Sequence, residues 1–208
     1  MASARRQNRL EELQEELSEE NIDIGIFTAD ASNAEAMEEL ASRTVEQFEK
    51  IDILVYATGT NVPDRALTRL NTKIWDEVIS VNLNGAYYAT RAVLPAMRDR
   101  KSGHLIYIAS ISGIVPDISG AAYQASKRGM LGLSHAIRVE EKENGIRTCV
   151  ICPGLVDTEI LEKRPVKPSP EMLAKALQSE DVAQAALFVA KLPARAAIPE
   201  MQIMPTVL

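Results

Sequence analysis

Short apolar runs alternate with amphipathic helical patterns along this whole chain, and that alternation most constrains what it can fold into. The apolar runs are Ile22 to Phe27, Ile53 to Tyr56, His104 to Ala109, Arg147 to Cys152 and residues 198–204. Between them lie helical patterns at residues 4–20, Ser32 to about Lys50, about Thr72 to Arg100, Ala122 to about Asn144, and Ser179 to about Lys191. In the first helix Leu10, Leu13 and Leu17 repeat at three and four, with glutamates on the other faces. Ser32 with Glu35 has the pattern of a capping box. Ser169-Pro170-Glu171 puts proline at a first helical position. Pro95 predicts a kink or break inside the long 72–100 helix. Near-continuous apolar strands interleaved with helices specify a parallel sheet covered on both faces. The expected fold class is therefore α/β, with one domain over residues 1–208.

The polar features cluster just after the apolar runs: Thr28 to Ser32, Ala57 to Gly59, Ser110, and Pro153 to Thr158. Open α/β sheets bind ligands at those strand ends. One stretch carries acid–base chemistry. Ser110 ends a strand, Tyr123 follows thirteen residues on, and Lys127 follows four after that. Positions i and i+4 share a helix face. An ammonium beside a phenol favours the phenolate and lowers its pKa from about 10. A phenol so tuned is a usable proton donor and acceptor. Taken alone, a Tyr-x-x-x-Lys pair also fits a solvated helix face, so the rest of the chain has to decide.

Composition removes several alternatives. The chain has 208 residues, is 46% hydrophobic and carries a formal charge of −6. It has no basic block of five or more residues, so no nucleic-acid partner is expected. It has no apolar run of membrane-spanning length and no signal-peptide stretch at its start. The expected setting is cytoplasmic, without a membrane partner. Cys149 and Cys152 form a Cys-x-x-Cys. Positions three apart on a strand face opposite sides, so the thiols should diverge and pack in the core. His104 and His135 lack ligand-spaced partners, so no metal is expected.

Several motifs in register resemble the short-chain dehydrogenases/reductases, over essentially the full length. Asp30 resembles the aspartate near the cofactor's adenine. Residues 52–59, Asp-Ile-Leu-Val-Tyr-Ala-Thr-Gly, resemble the family's Asn-Asn-Ala-Gly turn. Residues 81–85, Val-Asn-Leu-Asn-Gly, resemble the segment of the catalytic asparagine, here Asn82. Ser110, Tyr123 and Lys127 match the catalytic serine and the Tyr-x-x-x-Lys pair. Residues 152–158, Cys-Pro-Gly-Leu-Val-Asp-Thr, resemble the segment over the nicotinamide.

The resemblance implies a Rossmann-like doubly wound sheet and hydride transfer between NADP(H) and a small carbonyl or alcohol substrate. Tyr123 would exchange the proton, Ser110 would bind the substrate oxygen, Lys127 would tune Tyr123 and hold the ribose, and Asn82 would hold a water. Ala57, Gly59, Pro153, Gly154, Val156 and Thr158 would flank the cofactor. Arg5 and Arg6, at the end of the family's second strand, point to the 2′-phosphate of NADP rather than to NAD, because a guanidinium grips phosphate as a fork. A substrate loop is expected at about 155–178, with residues 111–121 and 159–170 lining the pocket. Ile114, Val115 and Ile118 point faintly to an apolar substrate. Pairing through the helices at 72–100 and 122–144 would give a homodimer or homotetramer.

Two departures stand out. The family's turn asparagine is replaced by Ala57 and its small alanine by Thr58. The glycine-rich Thr-Gly-x-x-x-Gly-x-Gly turn occurs nowhere in the chain. The expectation is a fold lacking the first β-α-β unit, with a start that omits it and a two-strand gap between strands 22–27 and 53–56. A catalytically inactive, cofactor-free oligomerising scaffold is the alternative.

Overall fold

The structure, a computed structural model, describes residues 1–207. Strand β1 (Ala2–Ala4) leads through α1 (Gln7–Glu19) to β2 (Ile26–Thr28), which pairs parallel with β1. The ladder continues beyond both strands, with Ala2 N donating to Gly25 O at 2.8 Å and Ala29 N to Ala4 O at 3.1 Å. The expected two-strand gap is corrected here. The helix expected from residue 4 begins at Gln7, and the three small residues 2–4 find an open partner edge in β2. Pairing satisfies their backbone groups, as a short apolar segment requires.

The next strand, β3 (Ile53–Tyr56), follows α2 (Ala34–Phe48). Asn33, not Ser32, caps α2: its Oδ1 accepts from Ala36 N at 3.0 Å. Ser32 is occupied elsewhere, its N and Oγ both donating to Asp30 Oδ1. The long helical segment then splits into α3 (Thr72–Ile79) and α4 (Gly85–Asp99), joined by a π-helical turn at Ser80–Asn84. Of the kink or break expected at Pro95, the break does not occur; Pro95 lies inside α4. Its lost hydrogen bond is offset by burial of Val93 and Met97 on either side. The wide turn lies instead at Asn82, and such turns recur at functional sites.

Strand β4 (Gly103–Ile108), helix α5 (Ala121–Glu140), strand β5 (Ile146–Pro153), the short α6 (Pro170–Leu173), α7 (Ser179–Ala190) and β6 (Glu200–Ile203) complete the chain. The main sheet runs β3-β4-β5-β6, all parallel. Two cores flank it. Leu105, Tyr107, Val150 and Cys152 pack on one face, and Ile106, Cys149, Ile151 and Val189 on the other. The alternation separates the two cysteines, as their spacing requires. Both are free and buried, and burial pushes Cys149 to about 12 and Cys152 to about 11, so neither is a thiolate at neutral pH.

Between the two-stranded and four-stranded sheets lies a cavity of about 1050 Å³, lined by β1 on one side and by Ile53 to Tyr56 of β3 on the other. Among the described residues the facing edges of β1 and β3 are unpaired. Ile53 is 42% exposed and Val55 48%. Open apolar edges template self-association. Val55→Lys is expected to lower concentration-dependent light scattering of the purified chain while leaving its circular dichroism unchanged. Unchanged scattering would show that the edge does not drive association.

His104, in β4, is 1% exposed, and neither ring nitrogen has a hydrogen-bond partner among the described residues. Burial, helped by the charge of Arg147, lowers its pKa from 6.5 to about 4. The unfolded chain therefore binds an extra proton between those values, and native stability falls as pH drops from 6.5 to 4. His104→Leu is expected to be about 1–2 kcal/mol more stable at pH 7, since the unpaired ring no longer has to be desolvated. Its advantage should widen toward pH 4, read by urea denaturation at both values. A parallel pH dependence in the two proteins would refute the assignment.

Candidate active site

The C-terminal ends of β3, β4 and β5 converge on a second cavity of about 760 Å³. Ser110 follows β4 directly. It caps a three-residue 3₁₀ turn, Ile111–Gly113, its Oγ accepting from Ser112 N at 3.2 Å. Tyr123 and Lys127 project from the first turns of α5, one turn apart. All three line the cavity, together with Ala57, Gly59, Pro153, Gly154, Val156 and Thr158.

Lys127 is 3% exposed, with its ammonium 5.7 Å from the centre of the Tyr123 ring. Nζ donates to the carbonyl of Ile108 at 3.0 Å. Burial lowers its pKa from 10.5 to about 8. The expected lowering of the phenol pKa is not seen. Tyr123 is raised above its ordinary value, chiefly by burial and then by Asp117, against the opposing pull of Ser110, Arg164 and Arg65. The reason is geometric: the Lys127 ammonium is held on a backbone carbonyl and on the ring face rather than on the phenol oxygen. Gly59 is shaped by the same lysine, because a Cβ there would lie 3.2 Å from Nζ.

Asn82 is fully buried, and its side chain is spent on structure. Oδ1 accepts from Thr60 N at 2.7 Å; Nδ2 donates to Thr60 O at 3.0 Å and to Ser126 Oγ at 2.9 Å. The π turn thereby ties the loop after β3 to the head of α5. Three of the four side-chain amide hydrogen-bonding directions are thereby engaged, which leaves one lone pair of Oδ1 for a water. Tyr56, beside the replaced turn asparagine, donates to Val81 O at 2.5 Å and so anchors β3 to the same turn.

The remaining expected residues lie around the larger cavity. Arg5 sits 3.9 Å from Asp30, and Asp30 is held low by the Ser32 backbone and hydroxyl. Arg6 pairs with Glu159 at 2.9 Å, and Arg9 approaches the same carboxylate at 3.5 Å. Thr158 begins the 3₁₀ turn Glu159–Lys163. This turn closes toward the site: Lys163 Nζ donates to Thr60 Oγ1 at 2.7 Å. The excursion from 155 to 177 is pinned at its base, where Leu177 N donates to Leu155 O at 2.9 Å and Asp157 N to Leu177 O at 2.8 Å. Sequence reading missed Arg65, Asp117, Glu159 and Arg164. For Asp117, Glu159 and Arg164 the only signal was charge inside loops expected to line a pocket; Arg65 lies outside those loops.

Comparison with known proteins accounts for this arrangement. The family of short chain dehydrogenases matches over residues 1–168. An uncharacterised oxidoreductase of Staphylococcus saprophyticus is 34% identical over 177 residues, covering 85% of this chain and 73% of the relative. A 3-oxoacyl-[acyl-carrier-protein] reductase of Synechocystis is 33% identical over 172 residues, covering 82% and 69%. Among solved structures, serine dehydrogenase of Escherichia coli superposes with a TM-score of 0.85 at 32% identity, covering all of this chain and 86% of that one. The closed form of a serine dehydrogenase complexed with NADP+ gives 0.88 at 34% identity, covering 100% and 85%. With the motifs in register and the strand ends converging on Ser110, Tyr123 and Lys127, the chain belongs to the short-chain dehydrogenase/reductase family of oxidoreductases.

Proposed function

We propose that this chain interconverts a carbonyl and an alcohol with NADP(H), Tyr123 exchanging the proton. The observation that carries this reading is the convergence of Ser110, Tyr123 and Lys127 on one cavity beside the Pro153 to Thr158 segment. The residues present fit both ends of a dinucleotide. Gly59, without a side chain, lets the backbone approach the Lys127 ammonium, beside which a ribose would sit. Arg5 and Arg6, with Asp30, border the larger cavity, where a 2′-phosphorylated adenosine would sit. Ala57, Gly154, Val156 and Thr158 would flank the chain's path between them. The NADP-bound relative and the two arginines favour NADP over NAD.

Bound NADP(H) supplies the hydride donor or acceptor, and the protein supplies orientation and proton transfer. Ser110 hydrogen-bonds the reacting oxygen. In reduction Tyr123 gives its phenolic proton to that oxygen; in oxidation it takes the hydroxyl proton back. A raised phenol pKa keeps Tyr123 protonated at neutral pH, which suits reduction. Arg6 has to exchange Glu159 for the 2′-phosphate, which leaves Arg9 at that carboxylate.

Calorimetric titration of the purified chain with NADPH tests the reading. Saturable binding that weakens in Arg6→Ala is expected. A folded chain that gives no binding heat would overturn it. The open ladder between β1 and β3 favours one second reading, a catalytically inactive oligomerising scaffold. That reading requires a soluble oligomer without bound cofactor, and a monomer on size exclusion would exclude it.

A further inference from the structure

The polar side of the smaller cavity carries two guanidinium groups without an ion-pair partner among the described residues. Arg65 is 8% exposed, yet neither it nor Arg164 has an acidic partner at ion-pair distance among the described residues. Both line the cavity that holds Ser110 and Tyr123. Arg65 spends two of its five N–H groups on carbonyls: Nε on Val62 at 3.0 Å and Nη2 on Lys163 at 2.6 Å. Those bonds fix the guanidinium plane and leave Nη1 without a protein acceptor among the described residues.

Of the two carboxylates in the lining, Glu159 is paired with Arg6, and Asp117, whose charge acts on Arg65, is engaged by its own loop. Asp117 accepts from Ser112 Oγ at 2.5 Å, Ser119 N at 2.8 Å and Ser119 Oγ at 3.0 Å. Its charge reaches Arg65 and Tyr123, but its oxygens serve the loop. Arg65 is also positioned firmly relative to the phenol. Asn61 Nδ2 donates to Ser119 O at 3.0 Å, holding the loop after β3 on the loop before α5. Gly120, at φ +90°, packs against the stem and carbonyl of Arg65, where a Cβ would sit 2.7 Å from Arg65 Cβ. Tyr123 lies three residues further on. Arg164 is on the 159–164 turn across the cavity, and its charge opposes that of Arg65.

A buried, unneutralised guanidinium is costly. Buried Arg65 and half-buried Arg164, facing one cavity beside a proton-transfer group, make a fork-shaped anion site. The apolar expectation from Ile114, Val115 and Ile118 gives way here: none of the three lines the cavity, and Ile118 is 81% exposed. We propose that the substrate is a hydroxy acid or oxo acid, its carboxylate held between Arg65 and Arg164 and its reacting oxygen at Ser110 and Tyr123. The inference rests on the oxidoreductase reading of the same cavity.

Saturation-transfer NMR on the purified chain, without cofactor, tests it with β-hydroxybutyrate and its methyl ester. The acid should bind at least about tenfold more tightly than the neutral ester, the range expected for charge-assisted hydrogen bonds. Arg164→Met and Arg65→Met should each weaken the acid by about tenfold to a hundredfold and leave the ester unchanged. Arg164→Met keeps the test decisive if Arg65→Met fails to fold. Equal binding of acid and ester overturns the proposal, as does equal loss of both in the folded variants, which would mark the arginines as structural. Competition by inorganic phosphate as strong as by the acid would overturn the carboxylate assignment. The NADPH titration reads the parent proposal separately: cofactor binding without acid selectivity sinks only this inference.

Discussion

Tyr123→Phe is expected to lower kcat by about 10²–10⁴-fold while leaving NADPH binding within a factor of two. The variant keeps the ring that sits over Lys127 and removes only the hydroxyl that exchanges the proton. Loss of that hydroxyl also removes a buried polar group whose pKa is raised by desolvation, so the fold should not suffer. Stopped-flow turnover with a carbonyl substrate, beside calorimetry with NADPH, separates chemistry from binding. Undiminished turnover would remove Tyr123 from the mechanism. Lost NADPH binding would instead recast it as a cofactor contact.

Lys127→Met should stabilise the folded chain while abolishing activity. The lysine is buried without a carboxylate, and its ammonium titrates near 8 in the fold against 10.5 in the free side chain. Between those values the unfolded chain binds the extra proton, so native stability rises with pH across that window. The burial penalty is fully present below pH 8 and gone above about 10.5. It corresponds to about 3 kcal/mol. Methionine fills similar space without charge, but leaves the Ile108 carbonyl without its donor, which returns about 1 kcal/mol. A net gain of about 2 kcal/mol at pH 7 should raise Tm by about 4–8 °C. The gain should shrink as the wild type is taken to pH 10.5. An unchanged or lower Tm at pH 7 would show that the ammonium is better solvated than its surroundings imply. The expected pattern is the one by which catalytic groups are held at a cost in stability.

These two residues, and Ser110, were legible in the sequence because their relation is local. A strand end and one helical turn set their spacing, and the resemblance of several motifs in register singled them out. The same holds for β3, β4 and β5, whose apolar runs needed burial on both faces. Short elements were less legible. Nothing in Ala2–Ala4 marks a strand until Ile26–Thr28 offers an edge. Ser32 and Asn33 are both good caps, and Asp30 decides between them by capturing Ser32. Pro95 kept its helix because neighbours on the buried face hold it.

The sequence by itself determined the α/β class, the order of strands and helices, the divergence of the two cysteines, and the serine, tyrosine and lysine of the candidate site. The class and the divergence of the cysteines follow from periodicity and short spacing, which are properties of neighbours along the chain; the three site residues stood out by their resemblance to the family's motifs. The tertiary structure alone decided the electrostatics. Arg65 and Lys163 meet 98 residues apart, Arg6 and Glu159 meet 153 apart, and the Lys127 ammonium turns to a carbonyl rather than to the phenol oxygen. Charge interactions depend on distance in space and on burial. Sequence spacing carries neither, so the tuned values of Tyr123 and Lys127 and the paired arginines of the cavity emerged only with the fold.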